Sequence, residues 1–343
     1  MMYSLLIVTL AISTTITLTS HHWLLAWLGL EINTLAMIPI IMKPHNPRAT
    51  EAATKYFMIQ AIAAAMILFS SIINAWQTGH WTIIDTTSPT ATTVLALALV
   101  MKLGVAPTHL WYPEVIQGST MTTALILSTW QKLAPLALIY MTMHQLHPTI
   151  MLTLGLISAL LGGWAGLNQT QLRKIMAFSS IAHMGWLLTA MAINYNLTTL
   201  TLAVYIIMTT TMFTILLYTT TKTLTDMATV WTQTPLLLST TALALMSLGG
   251  LPPLTGFTPK WLITNELVSM TLLPIAITLI LSSLPSLFFY IRLAYFTTIT
   301  TPPSNMNNKL NWRFNTNTPK PLALFITSTA MLLPITSLLY PTL

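Results

Sequence analysis

The sequence predicts an all-α polytopic membrane protein of about eleven transmembrane helices, built as two inverted five-helix repeats, each with a broken helix, plus a C-terminal helix. Three observations predict it. Only 6% of the 343 residues are charged and 54% are hydrophobic, whereas a soluble domain carries about a quarter charged residues. The mean hydropathy of +0.73 implies more apolar surface than one soluble core hides, so a bilayer is the solvent that fits. Finally, the basic residues alternate along the chain as a multi-pass topology requires.

A spanning helix needs about 20 mostly apolar residues. Polar, Gly and Pro punctuation divides the chain into segments at 2–20, 23–42, 51–76, 91–117, 119–143, 149–167, 174–192, 197–219, 235–265, 272–297 and 322–340. The first segment has no charged flank or small-residue cleavage site and lacks the arginines of a transit peptide, so it reads as a membrane helix rather than a leader. Of the 13 Lys and Arg residues, Lys43, Arg48, Lys55, Arg173, Lys174, Lys222, Arg292, Lys309, Arg313 and Lys320 fall at or near connections. With eleven crossings all of these lie on the side of the N-terminus. The other connections hold histidines, Asp85 and Glu266 instead, which is the positive-inside bias. A long polar loop at 298–321 belongs to the positive side and reads as a partner-docking segment or a linker.

Three lysines and one glutamate remain inside apolar stretches: Glu31 in LGLEINTLAM, Lys102 in ALVMKLGVAP, Lys132 in STWQKLAP and Lys260 in LTGFTPKWL. A charge at bilayer depth costs at least about 2.5–3.5 kcal/mol on insertion scales. A structural reading would make them helix-locking ion pairs or snorkelling side chains. One carboxylate cannot pair with three lysines, however, so the others must be wetted, neutral or part of a relay. Burial disfavours a charged lysine and a nearby carboxylate restores it. A lysine balanced between the two effects can load and release a proton.

Two of these lysines adjoin helix breakers. Gly104 and Pro107 follow Lys102, and Gly249, Gly250, Pro252, Pro253, Gly256 and Pro259 precede Lys260. Gly loosens a helix and Pro deletes a backbone donor. In lipid, such a break survives only where protein or a water-filled cavity satisfies the freed groups. Breaks in the fourth and ninth segments, five apart, are the sign of an inverted repeat with a site at the midplane. The domains expected are therefore 1–144 and 145–297 for the repeats and 298–343 for the polar loop and last helix.

His183, in SSIAHMGW, lies at membrane depth and is a candidate relay member, although a lone helical histidine is more often a satisfied core residue. His109 and Glu114, in APTHLWYPEV, are weaker candidates, and His144 with His147 reads as loop composition. The chain has no cysteine, which excludes disulfides, cysteine-ligated clusters and thiolate zinc. No G-x-G-x-x-G, Walker or H-E-x-x-H motif is present, so no nucleotide or metal site is expected. The net charge of +7 is scattered over short loops, which argues against nucleic acid as a partner.

LGLEINTLAMIPI, EAATKYFMIQA, MKLGVAPTHLWYPEV, STWQKLAP, GLNQTQLRKIMAFSSIAHMGW and SLGGLPPLTGFTPKW, between residues 23 and 297, resemble the subunit 2 family of mitochondrial NADH:ubiquinone oxidoreductase, respiratory complex I. The resemblance implies an antiporter-like, proton-translocating core subunit of the membrane arm in the mitochondrial inner membrane. It implies partnership with neighbouring antiporter-like and small core membrane subunits, with accessory subunits and with lipid. NAD, FMN, iron–sulfur clusters and ubiquinone would be held by other subunits, and no cofactor by this chain. It further implies that Glu31 pairs with Lys102, that Lys132 and Lys260 continue a polar axis, and that animal members lack three N-terminal helices of bacterial ones. The rival readings are a stand-alone cation/proton antiporter and a structural subunit that only spaces the true pumps.

The topology generates a prediction. Labels at the N-terminus and within 298–321 should react from the matrix side only, and a C-terminal label only from the intermembrane-space side. Labelling of both termini from one side would refute the odd number of crossings.

Overall fold

The computed structural model describes residues 2–86, 88–232, 234–299, 321–334 and 336. Among these residues there are fifteen α-helices and no strands. They are α1 (Met2–Thr19), α2 (Trp23–Met42), α3 (Pro47–Thr78), α4 (Pro89–Leu103), α5 (Trp111–Gly118), α6 (Met121–Ser128), α7 (Trp130–Thr142), α8 (Pro148–Gly166), α9 (Leu172–Met191), α10 (Tyr195–Thr219), α11 (Leu224–Thr229), α12 (Pro235–Gly249), α13 (Phe257–Ser269), α14 (Leu273–Thr298) and α15 (Pro321–Met331). Each expected segment from 2–20 to 272–297 coincides with one helix or with a broken pair, α4 with α5, α6 with α7, and α12 with α13, and α15 covers the first half of 322–340; the rest of that segment beyond 336 and nearly all of the 298–321 loop lie outside the described residues. The short α11 is an addition, lying in the connection before α12. Lys309, Arg313 and Lys320 lie outside the described residues.

Six stretches are long and apolar enough to cross a membrane unaided: α2, α3, α6 with α7, α8, α10 and α14. Helices α1, α4, α12 and α15 are apolar but shorter. Serine and threonine inside these helices turn their hydroxyls onto the carbonyl three or four residues back, as Thr17 does to Thr14, Ser70 to Ile67 and Thr189 to Trp186. That local bond removes the cost of carrying a hydroxyl where water is scarce. It explains how so threonine-rich a chain remains a membrane protein.

The chain forms two compact units, Met1–Ser158 and Ala159–Leu343, and α8 begins in the first and ends in the second. In the first unit α3 packs on α2, α4 and α5, and α7 packs on α1 and α4. Gly29 of α2 seats against Ser13 and Thr17 of α1, where a Cβ would stand 2.5 Å from the Thr17 methyl. At one end, Trp23 N–H donates to the Trp81 carbonyl and His22 stacks on Trp81, joining the loops 20–23 and 79–88. At the other end Lys43 lies 4.1 Å from the Tyr3 ring centroid, and Gly118 abuts Ala52 and the Arg48 carbonyl. The basic connection therefore shares an end with the start of α1.

In the second unit α9 is the innermost helix, buried along nearly its whole length. Its small residues allow this: the N–H of Ala182 lies against Gly162 of α8, closer than any Cβ there would permit. The connections bearing Arg173, Lys174 and Lys222 meet through backbone bonds from Leu172 to Lys222 and from Leu224 to Thr170. Arg292 donates to the Leu167 carbonyl at the same end, 2.7 Å away. There Thr223 caps α11 in a reciprocal box with Asp226. The Thr223 and Lys222 N–H groups hold the Asp226 carboxyl below its ordinary range. Within each unit, the basic connections thus gather at one end, as the alternation in the sequence requires.

Glycines 79 and 256 differ in what they hold open, and substitution should separate them. Gly256 opens α13 with its Cα packed on Ser247, so an added Cβ would stand 1.8 Å from that carbonyl oxygen. Gly79 ends α3 at φ +76° with open space around it. Gly256→Ala should therefore cost about 3 kcal/mol or more by overpacking, and Gly79→Ala about 1 kcal/mol by backbone strain. Folded yield and thermal midpoint in the membrane check this; equal losses would contradict it.

Candidate functional site

All three lysines of the apolar stretches stand at helix breaks; Lys102 and Lys132 are buried and Lys260 half-buried. In the first unit α4 ends in a Schellman turn. Gly104 takes φ +69°, its N–H donates to the Met101 carbonyl, and the Val105 N–H donates to the Val100 carbonyl. Only glycine occupies that left-handed position without a Cβ penalty, and the apolar residue and nearby proline after it complete the motif. Lys102 is thereby held in the last turn of α4, next to a helix end. Its own carbonyl accepts from the Gln60 amide at 3.3 Å.

α12 repeats the motif in the second unit. Gly250 has φ +81°, with its N–H on Ser247 and the Leu251 N–H on Met246. Here the freed carbonyl of Gly249 is taken by Lys260, whose Nζ donates to it at 2.8 Å from the first turn of α13. A cation at a helix C-terminus also meets the negative end of the helix dipole. Lys260 lies flat against Gly250, with Nζ 3.0 Å from where a Cβ would be, and 5.9 Å from the Trp186 ring centroid on α9.

The third break was not expected. Segment 119–143 reads in sequence as one helix, but the structure interrupts it at Thr129, whose φ and ψ of −114° and −68° leave the helix. Thr129 and Ser128 both turn their hydroxyls onto the Leu125 carbonyl. Pro135 sits one turn into α7 and deletes the donor that the Gln131 carbonyl would use. Lys132 is therefore in the first turn of α7, not in mid-helix. Pro135 was the available sequence signal.

Lys102 and Lys132 line one cavity of about 20 Å³ in the first unit, room for roughly one water. Its wall also includes Asn33 and Thr34 of α2, Tyr56 and Gln60 of α3, Trp111 and Tyr112 of α5, and Gln131 of α7. The lysines are 6% and 3% exposed. The Lys102 Nζ is buried with no hydrogen-bond partner. The Lys132 Nζ lies 4.9 Å from the Tyr112 ring centroid, within cation–π range. Gln131 donates to the Asn33 side chain at 2.9 Å, tying α7 to α2 beside the cavity. These neutral polar residues were not singled out in the sequence, although an amide inside an apolar helix is the signal that finds them.

Glu31, half-buried on α2, accepts from the Thr34 hydroxyl at 3.1 Å. Among the described residues no ion pair within 4 Å joins it to Lys102. His183, on α9, has its ring 5.9 Å from that of Tyr205 on α10. His109 is buried between α4 and α5, with Nδ1 3.3 Å from the Pro107 carbonyl, and does not line the cavity. Glu114 is exposed and pairs with Lys55 at 2.7 Å, and Lys55 also pairs with Glu51. Among the described residues no group of three or more His, Asp or Glu is placed to hold a metal.

Two repeats of the same device, a half-helix ended by glycine with a lysine at the break, mark a multi-spanning membrane protein with amines set among its apolar helices. Known proteins agree. The family described as "NADH:quinone oxidoreductase/Mrp antiporter, TM" matches residues 20–285, and "NADH dehydrogenase subunit 2 C-terminus" matches 287–340. NADH-ubiquinone oxidoreductase chain 2 of Carassius auratus is 54% identical over 333 residues, covering 97% of this chain and 96% of the relative. That of Xenopus laevis is 50% identical over 337 residues, covering 98% of each. A chain of the structure of respiratory complex I from Thermus thermophilus with bound aureothin superposes with a TM-score of 0.81 at 25% identity, over 97% of this chain and 79% of that one. The chain belongs to the NADH-ubiquinone oxidoreductase chain 2 family.

Proposed function

We propose that the chain is an antiporter-like core subunit of the membrane arm of respiratory complex I, and that it translocates protons through its buried lysines. The observation that carries the mechanism is the cavity shared by Lys102 and Lys132, in which the buried Lys102 amine has no hydrogen-bond partner among the described residues. Two ammonium groups in one small cavity repel strongly at interior dielectric. A proton gained at one therefore favours loss from the other, which is the elementary step of a relay. Near full-length likeness to chain 2 relatives favours a complex I subunit over a stand-alone cation/proton antiporter. The unpartnered amine argues against a mere spacer, for which an apolar side chain would be cheaper.

In this reading the path takes in Glu31, Lys102 and Lys132 in repeat 1–144 and Lys260, with His183 as a relay member, in repeat 145–297. The last segment, 298–343, is assigned no part in the path. Electron transfer from NADH to ubiquinone occurs in other subunits, which hold FMN, the iron–sulfur clusters and the quinone. Neighbouring antiporter-like and small core subunits, accessory subunits and lipid cover the membrane faces. The location is the mitochondrial inner membrane, with the N-terminus in the matrix and the C-terminus in the intermembrane space.

Glu31 acts on Lys102 at a distance. Across an effective dielectric of about 20, opposite unit charges attract by about 4 kcal/mol at 4 Å and about 2 kcal/mol at 8 Å. The latter is about thirty-fold in an equilibrium. A separation without contact therefore leaves the coupling large enough to bias a proton and small enough to be reversed by a modest movement. Glu31→Gln and Lys102→Met should each impair proton-coupled turnover in the assembled complex. Because both break one interaction, the double variant should be little worse than the worse single one, with a coupling of about 1–2 kcal/mol. Turnover and proton uptake, normalised to subunit abundance, measure the cycle. Strict additivity, or normal pumping in either single variant, would contradict the pair.

A further inference from the structure

The cavity has a neighbour. On the outer face of the first unit, Thr54, Lys55, Met58 and Ile59 of α3 and Leu110, Trp111 and Glu114 line a groove of about 400 Å³. Trp111 lines both this groove and the cavity that holds Lys102. It is 5% exposed, its indole N–H has no hydrogen-bond partner, and its ring lies against Tyr56, Tyr112 and Gly104. The wall between groove and cavity is thus one side chain thick. Adjacent residues of α3 divide between its two sides: Lys55 faces the groove and Tyr56 the cavity.

The groove lies at the end that carries the basic connections. Glu51 and Lys55 are one and two turns into α3, and Glu114 is one turn from the end of α5, where Gly118 abuts Arg48 and Ala52. Two carboxylates share one ammonium here, so the cluster keeps a net negative charge beside an aqueous boundary. An exposed pair of this kind contributes only about 0–1 kcal/mol to stability, so holding the fold together is a weak account of it. The unpartnered Lys102 amine on the far side of Trp111 is the group that such a cluster can supply.

We infer that Glu114, held by Lys55, is the proton-uptake group of the first unit, and that Trp111 is the partition across which protons pass from the groove to Lys102. The step conserves charge. The O–H bond of a protonated Glu114 breaks, the proton crosses by way of water, and an N–H bond forms on a neutral Lys102, leaving a carboxylate and an ammonium. The carboxylate is then reprotonated from the aqueous side. The inference rests on the proton-translocating reading and assigns the side from which its first lysine is loaded.

The test uses the assembled complex, with proton uptake and NADH oxidation measured together. Glu114→Gln should lower proton-coupled turnover about ten-fold or more at normal subunit abundance, and Glu51→Gln, which leaves the Lys55–Glu114 pair, should lower it less than two-fold. Glu114→Ala should be restored in part by added formate, a small acid that fits the vacated space, which a structural defect would not show. Normal pumping in Glu114→Gln overturns the assignment, and so does loss of assembly in both Glu114 variants, which would make the groove a seat for a partner's basic side chain. Absence of formate rescue in an assembled Glu114→Ala complex also overturns it. Lys102→Met separates the two claims: if it abolishes pumping while Glu114→Gln does not, the translocating reading stands and only the uptake route fails.

Discussion

A helix broken inside a bilayer leaves carbonyl groups that water cannot reach, and each must find a donor within the protein. The chain meets this demand three times, and each time a lysine is at hand. At the end of α12, Lys260 supplies the donor itself. At the end of α4, the Gln60 amide does so, and Lys102 keeps a free amine facing a cavity. At the start of α7, Lys132 lies over an aromatic ring. The breaks position the amines, and the amines and amides make the breaks tolerable. The Schellman turns at Gly104 and Gly250, the close seat of Gly256 on Ser247 and the innermost place of α9 all serve that arrangement.

The two units solve the same problem differently, and the difference bears on mechanism. A lysine engaged by a backbone carbonyl, such as Lys260, has its amine fixed in place by that bond. Lys102 has no such anchor: among the described residues its amine is buried without a hydrogen-bond partner.

Much of this was legible in the sequence because the bilayer allows few exceptions. Charges are rare enough that Glu31, Lys102, Lys132 and Lys260 stood out, and Gly–apolar–Pro spacing marked the ends of α4 and α12. The alternation of basic connections fixed which loops share an end, and loop contacts within each unit agree with it. The break at Thr129 was missed because its cause, Pro135, lies six residues away inside an otherwise unbroken apolar run. Gln60, Asn33 and Gln131 were missed because a single neutral amide scarcely alters hydropathy, although it decides how a carbonyl or a cavity is satisfied. The Lys55–Glu114 pair joins residues 59 apart, a relation that no local pattern carries.

Capping and proton carriage are different duties for a lysine, and one substitution separates them. Arginine can donate to the Gly249 carbonyl and keeps its charge, but it does not deprotonate in proteins. The decisive measurement is the number of protons pumped per NADH oxidised by an assembled complex carrying Lys260→Arg. If the lysines at the breaks carry protons, assembly persists and the ratio falls. If the ratio is unchanged, Lys260 is a cap and nothing more, and the account of this chain as a lysine relay is wrong.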